Sequence, residues 1–235
     1  MAAIHAERIG LLLLIDSRFP AGGHAHSAGM EEAVAAGTVR DIGGIEAWAR
    51  GVLWTSGLTA AGLAASGCRL ARLPEPEPSR RDWEDLDAEA DARTPSPAQR
   101  ATARRLGRQL LRTARRVWAS ELLEMLAVQW PAGLHRPVAF GAAVAAAGGN
   151  PPDAAVGEAY SSVAVPVGAA VRLLGLDPVS GAGVLARLGT AMEQVADQAA
   201  RAAAGPPAGL PARSAPMVDQ YAEFHITREA TLFAS

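Results

Sequence analysis

Apolar residues recur at helical spacing along most of this chain, and proline and glycine cut the pattern into segments. Residues 6–15 predict a short apolar helix that stops at the loop Asp16-Ser17-Arg18-Phe19-Pro20-Ala21-Gly22-Gly23. A second helix is expected to start near His24 to Ser27 and to end at Ala36 before Gly37, with Glu31 and Glu32 in its early turns, where the helix dipole favours acids. Ile45, Trp48, Val52, Leu58, Leu63 and Leu70 mark one long helix from Gly44 to about Arg72. Further helices are predicted over residues 98–118, 121–130, 138–147, 154–174 and 180–204, the last three separated by Gly-Gly-Asn-Pro-Pro and Leu-Asp-Pro turns.

Two stretches depart from this pattern. Between Pro74 and Pro97, prolines at 74, 76 and 78 precede Asp82, Glu84, Asp85, Asp87, Glu89 and Asp91, which predicts a loop or acidic linker outside the core. Gly205 to Pro216 reads as a Pro-rich connector, followed by an amphipathic tail from Val218 to Phe233 whose apolar side is Tyr221, Phe224, Leu232 and Phe233. Such a segment either orders on a partner or docks on its own domain, because alone it buries too little to offset its ordering entropy. The expected architecture is all-α: a single helical domain of about eight helices over residues 1–204, with residues 205–235 as connector and tail.

Composition sharpens this picture. Aromatic residues are 5% of the chain while alanine, leucine and glycine abound, which favours close-packed helices over a sheet. The formal charge of -2 argues against nucleic-acid binding, and a helical DNA regulator would need a recognition helix that the pattern does not offer. All 22 basic residues are arginine. Without lysine, a Walker-type phosphate loop, a pyridoxal Schiff base and a Ser-Lys hydrolase are all excluded. A single cysteine, Cys68, forms no internal disulfide and builds no multi-cysteine zinc site; it reads as a small buried residue in a reducing compartment. The opening segment does not read as a signal peptide and no apolar stretch reaches the roughly 18 residues of a membrane span, so a soluble, cytoplasmic protein is expected.

Residues 98–118 carry Arg100, Arg104, Arg105, Arg108, Arg112, Arg115 and Arg116 without one acid, and the run at every fourth position lays charge along a helix face. The acidic stretch before it offers internal partners; a docking surface for a charged partner is the functional alternative. A metal-dependent all-α enzyme would draw on Asp16, His26 and Glu31, but His24 and His26, two residues apart, point away from each other on a helix. Ser17, Ser27, Ser161 and Ser162 sit in no nucleophile elbow. Asp16 is either a cap for neighbouring N–H groups or part of a cation path, and Gly22-Gly23 is either an anion cradle or a chain reversal.

The run Leu11 to Glu31, an apolar stretch followed by Asp16-Ser17, Pro20-Ala21-Gly22-Gly23 and Ala25-His26-Ser27-Ala28-Gly29-Met30-Glu31, resembles the opening signature of the UreF family of urease accessory proteins. Val39-Arg40-Asp41 with Trp48, Thr94 to Leu111, His135 to Gly141, Ala170 to Leu173, and His225 with Leu232 to Ser235 resemble later family blocks in order. The chain departs from the pattern in carrying His24 for an aromatic residue, Ala28 for a glycine, Met30 for a leucine and Thr231 for a tail arginine. The resemblance implies an all-helical, dimer-forming scaffold without catalytic residues, cofactor or metal of its own. It further implies that the C-terminal segment binds a D/H-type accessory protein, and that the pair recruits a G-type GTPase that delivers nickel to apo-urease. Asp16, Ser17, Gly22, Gly23, His26, Ser27 and Glu31 would then form the shared turn and helix start, with Gly29 beside them, Arg172 a matching block, and Tyr221, His225, Leu232 and Phe233 the partner-binding tail.

Overall fold

A computed structural model describes residues 3–74, 78–227 and 232–233. Among these, eleven α-helical segments follow one another: α1 (Ala3–Ile15), α2 (Met30–Ala35), α3 (Ile42–Val52), α4 (Leu58–Ala71), α5 (Arg80–Ala92), α6 (Pro97–Val117), α7 (Glu121–Gln129), α8 (Arg136–Ala146), α9 (Pro151–Leu174), α10 (Pro178–Ala203) and α11 (Pro216–Ile226). A π turn, Leu53–Gly57, joins α3 to α4 end to end, so the segments form ten rods where the pattern predicted about eight. No strand occurs among the described residues, and the all-α expectation holds.

The core is built from α4, α8, α9 and α10, which pack on one another with α6 against α8. Their contact faces are alanine, glycine and valine, and the small side chains let backbones meet. A Cβ added at Gly141 on α8 would lie 2.1 Å from the Ala64 carbonyl oxygen and 2.6 Å from the Cys68 amide nitrogen on α4. Phe140, Met30, Ile45, Leu53 and Leu188 fill the remaining volume and are fully buried. Helix α9 is long and apolar enough to span a membrane by length and composition, contrary to the expectation that no stretch is. Most of its apolar window is buried inside the chain, and its position between α4 and α10 accounts for that composition.

The acidic stretch is not a loop. Ser79 and Asp82 form a capping box that starts α5, and Trp83, Leu86, Asp87 and Ala90 are buried on one of its faces. High acid content and three prolines hid this amphipathic helix; residues 75–77 lie outside the described part. The second helix is also shorter than predicted. A single 3-10 turn, Gly23–Ala25, and the left-handed residues Ala28 (φ 52) and Gly29 (φ 80) intervene, so α2 begins only at Met30.

α5 partly neutralises the arginine helix, as the sequence suggested. Arg104 holds Asp87 at 2.7 Å and Asp91 at 2.5 Å, and Arg115 holds Glu124 at 3.0 Å. Asp87 also accepts the His135 backbone N–H at 2.8 Å, and the His135 ring lies 2.7 Å from Asp91. Burial acts to raise the Asp91 carboxyl, but the bonds to His135 and Arg104 outweigh it and hold the group below its ordinary range.

Candidate functional site

The connector and tail are docked on the helical body. Arg93, whose side chain is 7% exposed, leaves the end of α5 and donates to the carbonyls of Pro207 (3.3 Å), Ala208 (3.1 Å), Leu210 (3.2 Å) and Pro211 (3.1 Å). One guanidinium thus gathers four backbone acceptors, a task suited to its five-donor fork. Thr59 reinforces it by exchanging hydrogen bonds with the backbone of Arg213.

Beyond the connector, α11 lies against α2 and α6. Glu223 accepts from the Ser96 hydroxyl and, at 3.0 Å, from the Ala98 amide, so a tail carboxylate completes the N-terminus of α6. Those two hydrogen bonds, the hydroxyl first, hold Glu223 below the usual carboxylate range. One turn earlier Asp219 is pushed up, by burial first and by neighbouring Glu223 as well, against a backbone contact at Ser96 that opposes the shift. Gln99 donates to Asp219 at 2.8 Å. Tyr221 stacks on Trp48 at 5.9 Å between ring centroids, and its hydroxyl lies 2.7 Å from that of Thr38.

The chain end closes on α2. The buried Glu31 carboxylate accepts the backbone N–H groups of Leu232 (2.6 Å) and Phe233 (3.1 Å). His225 bridges the same point, with Nδ1 3.3 Å from Glu32 Oε1 and Nε2 3.3 Å from the Phe233 carbonyl. The Arg172 guanidinium lies 4.6 Å from the Phe233 ring centroid, a cation–π contact. The structure therefore gathers Glu31, Arg172, Tyr221, His225, Leu232 and Phe233 at one place. Glu31, Tyr221, His225 and Phe233 are buried and Arg172 is exposed at the rim, while Leu232 is 69% exposed and Phe224 and Ile226 are exposed in large part.

Asp16, Ser17, Gly22 and Gly23 lie apart from this clamp. Asp16 accepts the Arg18 backbone N–H at 2.8 Å and pairs with its guanidinium at 2.6 Å, and these bonds lower its carboxyl to about 2. It is a turn cap, one of its two expected roles. Gly22 adopts φ 82 with the Gln109 side chain against it, and Gly23 opens the 3-10 turn. Asp16, Ser17, Gly23 and buried His26 border a cleft of about 800 Å³ that runs to Arg136, Tyr160 and Arg172. A second space of about 700 Å³ lies beneath α11, and Arg136 stands between the two, bound at 2.5 Å to both oxygens of the buried Glu158.

The metal-dependent alternative is not supported by this geometry. Glu31 is occupied by tail amides and Asp16 by Arg18, and no group of three or more His, Cys, Asp or Glu among the described residues could hold a metal ion. The His24 side chain lies outside the described part, as do Thr231, Ala234 and Ser235. Burial pushes the Cys68 thiol up to about 12, which leaves it protonated and unreactive. Ser161 and Ser162 return their hydroxyls to the Gly157 and Ala159 carbonyls of their own helix. Arg93 and Glu223 are the organising residues that the sequence pattern did not indicate, as is the part played by His135 in the Asp87–Arg104–Asp91 network.

Fold and site together describe an all-helical protein whose C-terminal segment is a separately anchored element with an exposed apolar outer side. The UreF family profile matches residues 39–189. The chain is 42% identical over 225 residues to a urease accessory protein UreF of Mycolicibacterium vanbaalenii, covering 96% of this chain and 97% of that protein. It is 40% identical over 228 residues to one from Mycobacterium sp. (strain JLS) and 38% identical over 225 residues to one from Mycobacterium tuberculosis, with the same coverage. The chain belongs to the UreF family.

Proposed function

We propose that this chain is an assembly subunit in the maturation of urease and contributes binding faces instead of catalytic groups. In this reading the body, residues 1–204, forms a homodimer within a cytoplasmic complex, and the segment 205–235 binds a D/H-type accessory protein. The pair then recruits a G-type GTPase, which supplies the nucleotide chemistry and brings nickel to apo-urease; nickel is cargo of the complex. The observation that carries the proposal is the near full-length similarity to proteins named urease accessory protein UreF.

The tail geometry supports a division of labour among the candidate residues. Glu31, Arg172, Tyr221, His225 and Phe233 hold the tail at a fixed place, and Leu232, Phe224 and Ile226 present apolar surface outward. Large apolar side chains left exposed at such a site are candidates for burial by a protein partner. The turn Asp16, Ser17, Gly22 and Gly23, with His26 and Ser27 behind it, would offer a second contact face beside the cleft.

Truncation after Pro216 tests the proposal directly. The shortened chain is expected to keep its helical circular dichroism and to lose the D/H-type protein on size exclusion. If the full chain, mixed with its D/H-type and G-type partners, elutes separately from both, the assembly role has no basis.

A further inference from the structure

Seven arginines line α6, and the structure divides them into two groups. Arg100 donates to the Thr94 and Pro95 carbonyls, Arg104 binds Asp87 and Asp91, and Arg115 binds Glu124. Arg105, Arg108, Arg112 and Arg116 are exposed. Among the described residues Arg105 meets only the Thr102 hydroxyl, and the other three make no hydrogen bond or ion pair. At 3.6 residues per turn the four fall within an arc of about 80° and extend over roughly 16 Å of helix.

The acids of α5 are engaged elsewhere. On α5, Asp82 caps Ser79, Glu84 pairs with Arg80, Asp85 with Arg81, and Glu89 with Arg93. The stripe is also fixed in place. Thr113 donates to the Pro20 carbonyl on one side, and on the other Gly133 lies so close that a Cβ there would stand 2.9 Å from the Arg108 Cβ. Four like charges are thus held on one rigid face, adjoining the turn that carries Gly22, within a chain whose formal charge is -2.

We infer that the Arg105, Arg108, Arg112 and Arg116 face of α6 is a docking surface for an acidic helix of a partner protein. Guanidiniums four residues apart repeat every 6 Å or so, the spacing of carboxylates at i and i+4 on a facing helix, and each fork can take a carboxylate through two hydrogen bonds. The weakly acidic chain as a whole does not attract polyanions in general, so a protein helix fits better than nucleic acid. The inference deepens the assembly reading by giving the chemistry of one of its contacts.

Two measurements test it. In the first, a 20-residue helical peptide with glutamate at every fourth position is titrated against the full chain at rising salt, beside a DNA duplex of equal length. The peptide is expected to bind in a salt-dependent manner, and the triple variant Arg108→Glu, Arg112→Glu, Arg116→Glu to lose about ten-fold or more in affinity, while the triple lysine variant stays within about three-fold. Tighter binding of the duplex, or equal peptide binding by the wild-type and triple-glutamate chains, overturns the inference. The second measurement assembles the D/H-type, G-type and urease components with each variant. Loss of one component with the glutamate variant, at unchanged helicity, supports the stripe as a working contact. If the glutamate variant retains every component that the wild-type chain binds, the stripe is a solvated face and the inference fails. Should the wild-type chain bind none of them, the assembly reading fails, while the peptide titration still decides the chemistry of the stripe.

Discussion

The helical core and the C-terminal segment are held by opposite means. Between α4, α8 and α9 the cohesion comes chiefly from backbones brought together over glycine and alanine, with the Arg136–Glu158 ion pair tying α8 to α9. Between the tail and the body it comes from point anchors: Arg93 on four carbonyls, Glu223 at the start of α6, Tyr221 on Trp48 and Thr38, and Glu31 with His225 at the chain end. Close packing is spread over many atoms and fails all at once. A polar anchor fails singly, and its loss is felt only where it acts. A segment attached by anchors can therefore be released or re-presented to a partner while the body stays folded.

Damage to the core interface should give the largest effect. Gly141→Ala would gain about 1 kcal/mol of intrinsic helix propensity, yet its new Cβ meets backbone atoms of Ala64 and Cys68, which have no rotamer through which to yield. The clash outweighs the propensity, and we expect a net loss of about 3 kcal/mol with cooperative melting of the whole domain, read by thermal denaturation. A thermal midpoint equal to the wild type would show that α8 and α4 are not in backbone contact. Arg93→Ala should act on the other region alone. Losing charge-assisted bonds to carbonyls is worth about 2 kcal/mol of connector docking. Amide exchange should therefore quicken in residues 205–226 and remain slow in α4 and α8. Equal acceleration in both would make body and tail one cooperative unit and abolish the distinction.

The two regions were also unequally legible. The core helices followed from apolar spacing and from proline and glycine stops, since close-packed small residues leave a long, repetitive signal. The long rod from α3 through α4 followed as well, and only its internal π turn did not, because a π turn changes the backbone without changing the residue pattern. Helix α5 was legible in principle: Ser79 and Asp82 are a capping box, and Trp83, Leu86 and Ala90 are a buried face. Prolines and acids dominated the composition there and masked it. At the site, the family blocks pointed to Glu31, Arg172, Tyr221, His225, Leu232 and Phe233, which the structure brings together. They gave no hint of Arg93 as an anchor, because its partners in the connector are carbonyl oxygens more than a hundred positions away and carry no side-chain identity at all.

The smallest effect expected joins these two themes. The structure places Ala28 at φ 52, the left-handed region that an L side chain enters at a cost of roughly 1 kcal/mol. Gly29 follows at φ 80 with Val218 of α11 and Trp48 against it, so the two residues set the direction in which α2 and Glu31 meet the tail. Ala28 is exposed, and removing its methyl opens no cavity. Ala28→Gly should therefore stabilise the protein slightly, by up to about 0.5 kcal/mol, the relief of backbone strain exceeding the added freedom of the unfolded chain. Because the relieved turn carries Glu31, protection of the tail amides should rise along with the denaturation midpoint. A lower midpoint would mean that the turn is not strained at Ala28, and that the orientation of Glu31 is set by the tail contacts instead of by the backbone that precedes it.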